Sequence, residues 1–186
     1  MSGHSKWSQI KRQKGVTDAA RSRTFSRFAR LIAIESKKSA GNVSSPGLVS
    51  AIERAKAANM PKDNIERAVA KGSSKDASSL EQVTYEFYGP GGVALIADAL
   101  TDNRNRTTQE IKHLLTKNGY ELGTPGSALW AFTKSPSGVF TPNDPLMDVG
   151  GDDEQKLQEL LGLFDEQEDV QQVFTNGRGY ENTSDD

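Results

Sequence analysis

Between Thr17 and about Ser39 the apolar residues Phe25, Phe28, Ala29 and Ile32 recur at three- and four-residue intervals. Arg23, Arg27, Arg30, Lys37 and Lys38 fall opposite them. At about 100° per residue this spacing draws one apolar and one basic stripe along a helix. The stretch SAGNVSSPG (39–47) interrupts the pattern, with Ser45 as a cap and Pro46 at the first position of a second helix. Leu48, Ala51, Ile52 and Ala55 carry that helix to about Ala58. Pro61 opens a third, with Ile65, Ala68 and Val69 inward and Gly72 as its stop. The pattern predicts a three-helix domain over residues 17–72. Residues 1–16 show neither period and read as an arm, mobile until something binds it.

GSSKDASS (72–79) has linker composition, which places a linker over residues 73–80. Beyond it the period becomes two: Val83, Tyr85 and Phe87 alternate with Thr84, Glu86 and Tyr88. GPGG (89–92) then reads as a tight turn into a second strand, VALIADAL (93–100). Thr107 and Glu110 have the spacing of a capping box, so a helix is expected from Thr107 to Gly119, burying Ile111, Leu114 and Leu115. Strands are expected near 128–133 and 138–141, a helix over 152–166 and a last strand at VQQVF (170–174). The chain therefore reads as α+β. The helical domain is followed by a small α/β sandwich-like domain with a mostly antiparallel sheet, residues 81–176, and a disordered tail, 177–186.

Charge sharpens this division. Residues 1–75 hold 16 Lys and Arg against 5 Asp and Glu, whereas residues 76–186 hold 7 against 20. A formal charge of −2 for all 186 residues conceals the asymmetry. A basic first half attracts polyanions, and an acidic second half limits indiscriminate binding. No apolar run approaches the roughly 18 residues of a membrane helix, and no apolar segment follows the basic N-terminus as in a secretory signal. The protein reads as cytoplasmic, with no membrane partner. It has no cysteine, which excludes disulfides, thiolate metal sites and cysteine nucleophiles.

Little points to catalysis. Of the two histidines, His4 lies in the arm and His113 on the polar face of its helix. Paired metal ligands at helix spacing are lacking. GPGG has no following Gly-Lys-Ser/Thr and precedes a strand, so it is no phosphate loop. The expectation is a non-enzyme with no cofactor, no metal and no small-molecule substrate. Polyanion binding has more behind it. Lys6, Lys11, Arg12 and Lys14 surround Trp7, which is suited to stack on an exposed base, and Arg23, Arg27, Arg30, Lys37 and Lys38 continue the basic surface. The alternative is an ordinary solvated helix face with a loose tail. TDNRNRT (101–107) lies where a strand gives way to a helix N-terminus, a place for an anion clamped by Arg104 and Arg106. Equally, the two arginines there serve salt bridges in a tied-down loop.

GHSKWSQIK (3–11), AIERAKAANMPKDNIERA (51–68), YEFYGPGGVALI (85–96), TDNRNRT (101–107) and LGTPGSALWAF (122–132) together resemble the YebC family (YebC/PmpR-type). The mitochondrial translational activator of cytochrome oxidase subunit one belongs to that family. The resemblance implies a helical domain and two α/β domains, the third inserted within the second. Here only TPNDPLMDV (141–149) stands where the insertion belongs, so the third domain is expected to be missing. It implies two functions: a transcriptional regulator on promoter DNA, or a ribosome-associated factor that relieves stalled peptide-bond formation. The first helix offers arginines and lysines but no Asn or Gln to read base edges. Ribosomal RNA is therefore the expected partner and promoter DNA the alternative. A protein-interaction adaptor docking through its acidic half is a third possibility.

Overall fold

The computed structural model describes residues 6–15, 17–74, 80–136 and 138–181, without the side chains of Arg12 and Lys14. They form two compact units. One comprises Thr17–Glu81 with Leu100–Asp102; the other comprises the N-terminal segment, Gln82–Ala99 and everything from Asn103 onward.

The first unit is the expected bundle: α2 (Asp18–Lys38), α3 (Pro46–Ala57) and α4 (Lys62–Ser73). Thr17 caps α2 by accepting the Ala20 amide at 3.1 Å, and Pro46 starts α3 where a missing N–H costs nothing. Phe28, Ile32, Leu48, Ala51, Ala55, Met60, Ile65 and Ala68 meet in one core. Gly72 lets α2 and α4 approach closely: a Cβ there would meet the Ala33 carbonyl oxygen and lie 2.7 Å from the Ser36 Cβ. Ser36 is fully buried and satisfies its hydroxyl by donating to the Val69 carbonyl at 2.8 Å, across the same contact.

The second unit is built on a three-stranded sheet of order β1-β2-β5, from β1 (Glu81–Tyr88), β2 (Ala94–Thr101) and β5 (Val170–Thr175). β2 and β5 are antiparallel, in a register that sets Leu95 opposite Thr175 and Ala97 opposite Val173. Gly91 and Gly92, at φ 65° and 78°, make the turn before β2. Alternation sorts the two faces. Val83, Tyr85, Phe87, Leu95, Ala97 and Val173 pack under α1 (Lys6–Lys14), α5 (Arg104–Lys117) and α6 (Asp152–Glu166), with Phe87 stacked on Phe164 at 4.8 Å. Ala94, Ile96 and Phe174 face the other way, onto a small antiparallel pair, β3 (Phe132–Lys134) and β4 (Phe140–Pro142).

Several expectations are corrected. Residues 6–14 are a helix whose Trp7 is 3% exposed inside the core of the second unit, so the segment is not an open arm. One apolar face, Trp7 with the half-buried Ile10, suffices for docking where a period over 16 residues is too short to see. The helix expected from Thr107 starts at Arg104, because Asn103 caps it by accepting the Arg106 amide at 3.1 Å. The first strand expected near 128–133 shrinks to 132–134, the residues before it forming a 3-10 turn. Residues 177–181 of the expected disordered tail are ordered, with Tyr180 fully buried in the core, and the rest of that expected tail, 182–186, lies outside the described residues. Between β4 and α6 only residues 143–151 intervene, which is a loop and not a domain.

Candidate nucleic-acid interface

Each unit has its own charge. Thr17–Glu81 with Leu100–Asp102 carries 12 Lys and Arg against 8 Asp and Glu, and the other unit carries 11 against 17. The four cations of α1 lie in the acidic unit. Lys6 pairs with Glu154 at 2.8 Å and Lys11 with Asp165 at 3.0 Å, both acids on α6. The Lys6 ammonium and the Tyr180 hydroxyl donate to Glu154 and hold its carboxyl below the usual carboxylate range. The backbone N–H of Lys6 donates to the Gly179 carbonyl at 2.7 Å, and the Trp7 ring lies 3.7 Å from where a Cβ on Gly162 would stand. Lys6 and Lys11 thus complement the chain's own acidic helix.

The predicted basic residues of α2 differ in their surroundings. Arg23 and Arg27 are half-buried. Lys37 and Lys38 sit in the last turn, where cations complement the helix dipole, and Lys38 pairs with Glu35 at 2.6 Å. Arg30 instead joins residues that the sequence reading passed over. It lines a groove of about 690 Å³ between α2 and α4, together with Arg21 from its own helix and Arg67 and Lys71 from α4. The floor is made of small and hydroxyl side chains, Ser22, Ser26, Ala29, Ala33 and Ala68, with Phe25 half-buried among them. From Asp18 to Ala33 the groove follows about 22 Å of helix. Two carboxylates, Asp18 and Asp102, also line it, so four cations face two anions. The Arg21–Asp18 contact is 3.9 Å long and exposed, which makes it a weak pairing. A signal was present in the sequence: Arg67 and Lys71 stand four apart, on one face of α4.

At the strand-to-helix corner Arg106 donates to Asp169 at 2.8 Å and lies 3.7 Å from Glu110. Asp169 is buried and also accepts from the Thr107 hydroxyl at 2.6 Å. Arg106 is therefore the salt-bridge alternative raised above, locking α5 to the segment before β5, while Arg104 is exposed. His113 is exposed, and His4 lies outside the described residues. No helix among the described residues is long and apolar enough to cross a membrane.

Comparison with known proteins agrees with this architecture. The family model described as "TACO1/YebC protein N-terminal domain" matches residues 5–75, and the one described as "TACO1/YebC second and third domain" matches residues 80–148. A Syntrophobacter fumaroxidans protein named "Probable transcriptional regulatory protein" is 41% identical over 187 residues, covering 94% of this chain and 75% of that protein. A Francisella tularensis subsp. novicida protein of the same name is 48% identical over 154 residues. That alignment covers 80% of this chain and 62% of the relative, less than two thirds of its length. The crystal structure of the conserved hypothetical protein Aq1575 from Aquifex aeolicus superposes with a TM-score of 0.81 at 31% identity, covering 94% of this chain and 97% of that one.

Proposed function

The chain belongs to the TACO1/YebC family, and we propose that it is a nucleic-acid-binding regulator of gene expression whose helical unit holds the phosphates of its ligand. The observation that carries this reading is the groove between α2 and α4, with Arg21, Arg30, Arg67 and Lys71 along it and a floor of small side chains. Such a seat admits a sugar–phosphate chain, and each phosphate it neutralises releases condensed counterions. The net positive charge of the unit draws a polyanion to this surface.

The ligand proposed is ribosomal RNA, in a translation role. The contribution is positional: the protein orders RNA or substrates for a catalytic centre that the ribosome supplies, and no residue of the groove serves as an acid or base. Promoter DNA is the second reading, favoured by the names of the relatives, "Probable transcriptional regulatory protein". Sedimentation with ribosomes at low and moderate salt, with excess random DNA duplex as competitor, separates the two. Co-migration that survives the DNA supports the ribosomal role. Loss of co-migration with retained duplex binding moves the assignment to DNA, and binding to neither refutes both.

A further inference from the structure

The expected stacking residue, Trp7, is buried, but the second tryptophan is not. Trp130 is 68% exposed, at the end of a turn that the fold holds with unusual care. Glu86 on β1, 4% exposed, accepts the amides of Gly126 at 2.7 Å, Ala128 at 2.8 Å and Leu129 at 2.9 Å. A buried carboxylate is thereby spent on three backbone donors of the turn that carries an exposed indole. The indole edge is fixed as well. Trp130 Nε1 donates to Tyr88 Oη at 2.7 Å and lies 3.1 Å from the Ser127 carbonyl, to which Tyr88 itself donates at 2.7 Å. Asn143 also donates to the Trp130 carbonyl at 3.1 Å.

With its one polar atom satisfied inside the protein, Trp130 offers a partner only its flat face, already ordered before binding. We infer that Trp130, flanked by the 39%-exposed Tyr88, is a stacking platform for an unpaired base of RNA. Stacking on a π-face tolerates any base and loses little entropy when the ring is held beforehand. Charge favours this occupant. The acids of α6 belong to the helix layer on the opposite face of the sheet. On the hairpin side Glu86 and Asp98 are buried and hydrogen-bonded, Lys134 is exposed on β3, and of the two exposed carboxylates of the loop beyond β4, Asp144 and Asp148, the second is paired with Arg178 at 2.6 Å. Folded RNA presents unpaired bases, whereas duplex DNA keeps them stacked.

The inference rests on the nucleic-acid reading, and its test separates the two. The probes are a labelled single-stranded RNA oligonucleotide, the same RNA with abasic positions, DNA of the same sequence, and a proline-rich peptide. Binding is followed by anisotropy and stacking by quenching of tryptophan emission. A Trp7→Phe variant isolates the Trp130 signal; if it folds poorly, the acrylamide-accessible emission of the wild type serves instead. The expected result is quenching by RNA and not by abasic RNA, with Trp130→Ala raising Kd about tenfold and leaving the salt slope unchanged. Trp130 is exposed, so that variant folds. RNA that binds without quenching, with Trp130→Ala unaffected, overturns the platform and leaves the nucleic-acid reading standing. Quenching by DNA alone or by the peptide alone also overturns it. Absence of any oligonucleotide binding at low salt removes both.

Discussion

Replacing Glu86 tests how the turn at 126–129 is held. In Glu86→Ala three amides lose their acceptor at once, and the side chain leaves a void. Hydrogen bonds to a charged group contribute about 1.5–3 kcal/mol each, and a stranded buried donor costs about 1–3 kcal/mol. The turn relaxes toward water, so the sum is not reached; a loss on the order of 3–5 kcal/mol is expected for the second unit. Glu86→Gln is milder. Its amide oxygen still accepts from Ala128 and Leu129, which share one carboxylate oxygen, and its NH₂ faces only the Gly126 amide. That leaves one lost bond and one donor–donor contact, about 1–2 kcal/mol. Urea unfolding followed by far-UV circular dichroism gives the stability difference, and Trp130 emission reports the local order of the turn. If Glu86→Ala costs no more than Glu86→Gln, or less than about 1 kcal/mol, the three amides are not what the carboxylate supports.

Other substitutions follow the same logic. Gly72→Ala gains about 1 kcal/mol of helix propensity but forces α2 and α4 apart against the Ala33 carbonyl, so net destabilisation by about 1–3 kcal/mol is expected in thermal unfolding. Trp7→Ala removes a core side chain and is expected to destabilise the second unit by about 3–5 kcal/mol, whereas an arm residue would cost almost nothing. Burial raises the pKa of Asp98, with the Thr84 hydroxyl, 2.8 Å away, only partly offsetting it. The folded state therefore holds that proton more tightly than the unfolded chain, and stability falls as pH rises through the carboxylate range. Asp98→Asn is expected to stabilise the protein at neutral pH, with the advantage vanishing below about pH 4, as denaturation midpoints across pH will show.

The helical unit was largely legible because its core residues follow the helical period and Pro46 and Pro61 mark helix starts, whereas Gly72, read as a stop, lies within α4 and serves its close contact with α2. The first two strands were legible, β1 through alternation and β2 as the apolar run after the glycine turn. Legibility failed where tertiary contacts decide. In α1 a helix of nine residues is stabilised by docking Trp7, not by its own weak pattern. Thr107 looked like a cap because capping boxes are read from spacing, while Asn103 lies one turn earlier and its side chain reaches the Arg106 amide. The candidate interface was half legible. Arg30 was placed on a basic face, but Arg67 and Lys71 become its neighbours only once α4 packs on α2. Glu86 reads as an outward strand residue by alternation; nothing local announces the turn 40 residues away that it binds.

The central claim is that the α2–α4 groove holds phosphates, and the salt dependence of RNA affinity tests it most directly. Each phosphate contact to a single strand contributes a slope of about −0.7 in log K against log salt. Replacing Arg67 and Lys71 by Ala is expected to weaken binding and to flatten that slope by about one to one and a half units, as two lost contacts require. The same change made at Lys6 and Lys11, which pair with Glu154 and Asp165, is expected to leave the slope intact. A slope unmoved by the groove pair and flattened by the α1 pair would contradict the account.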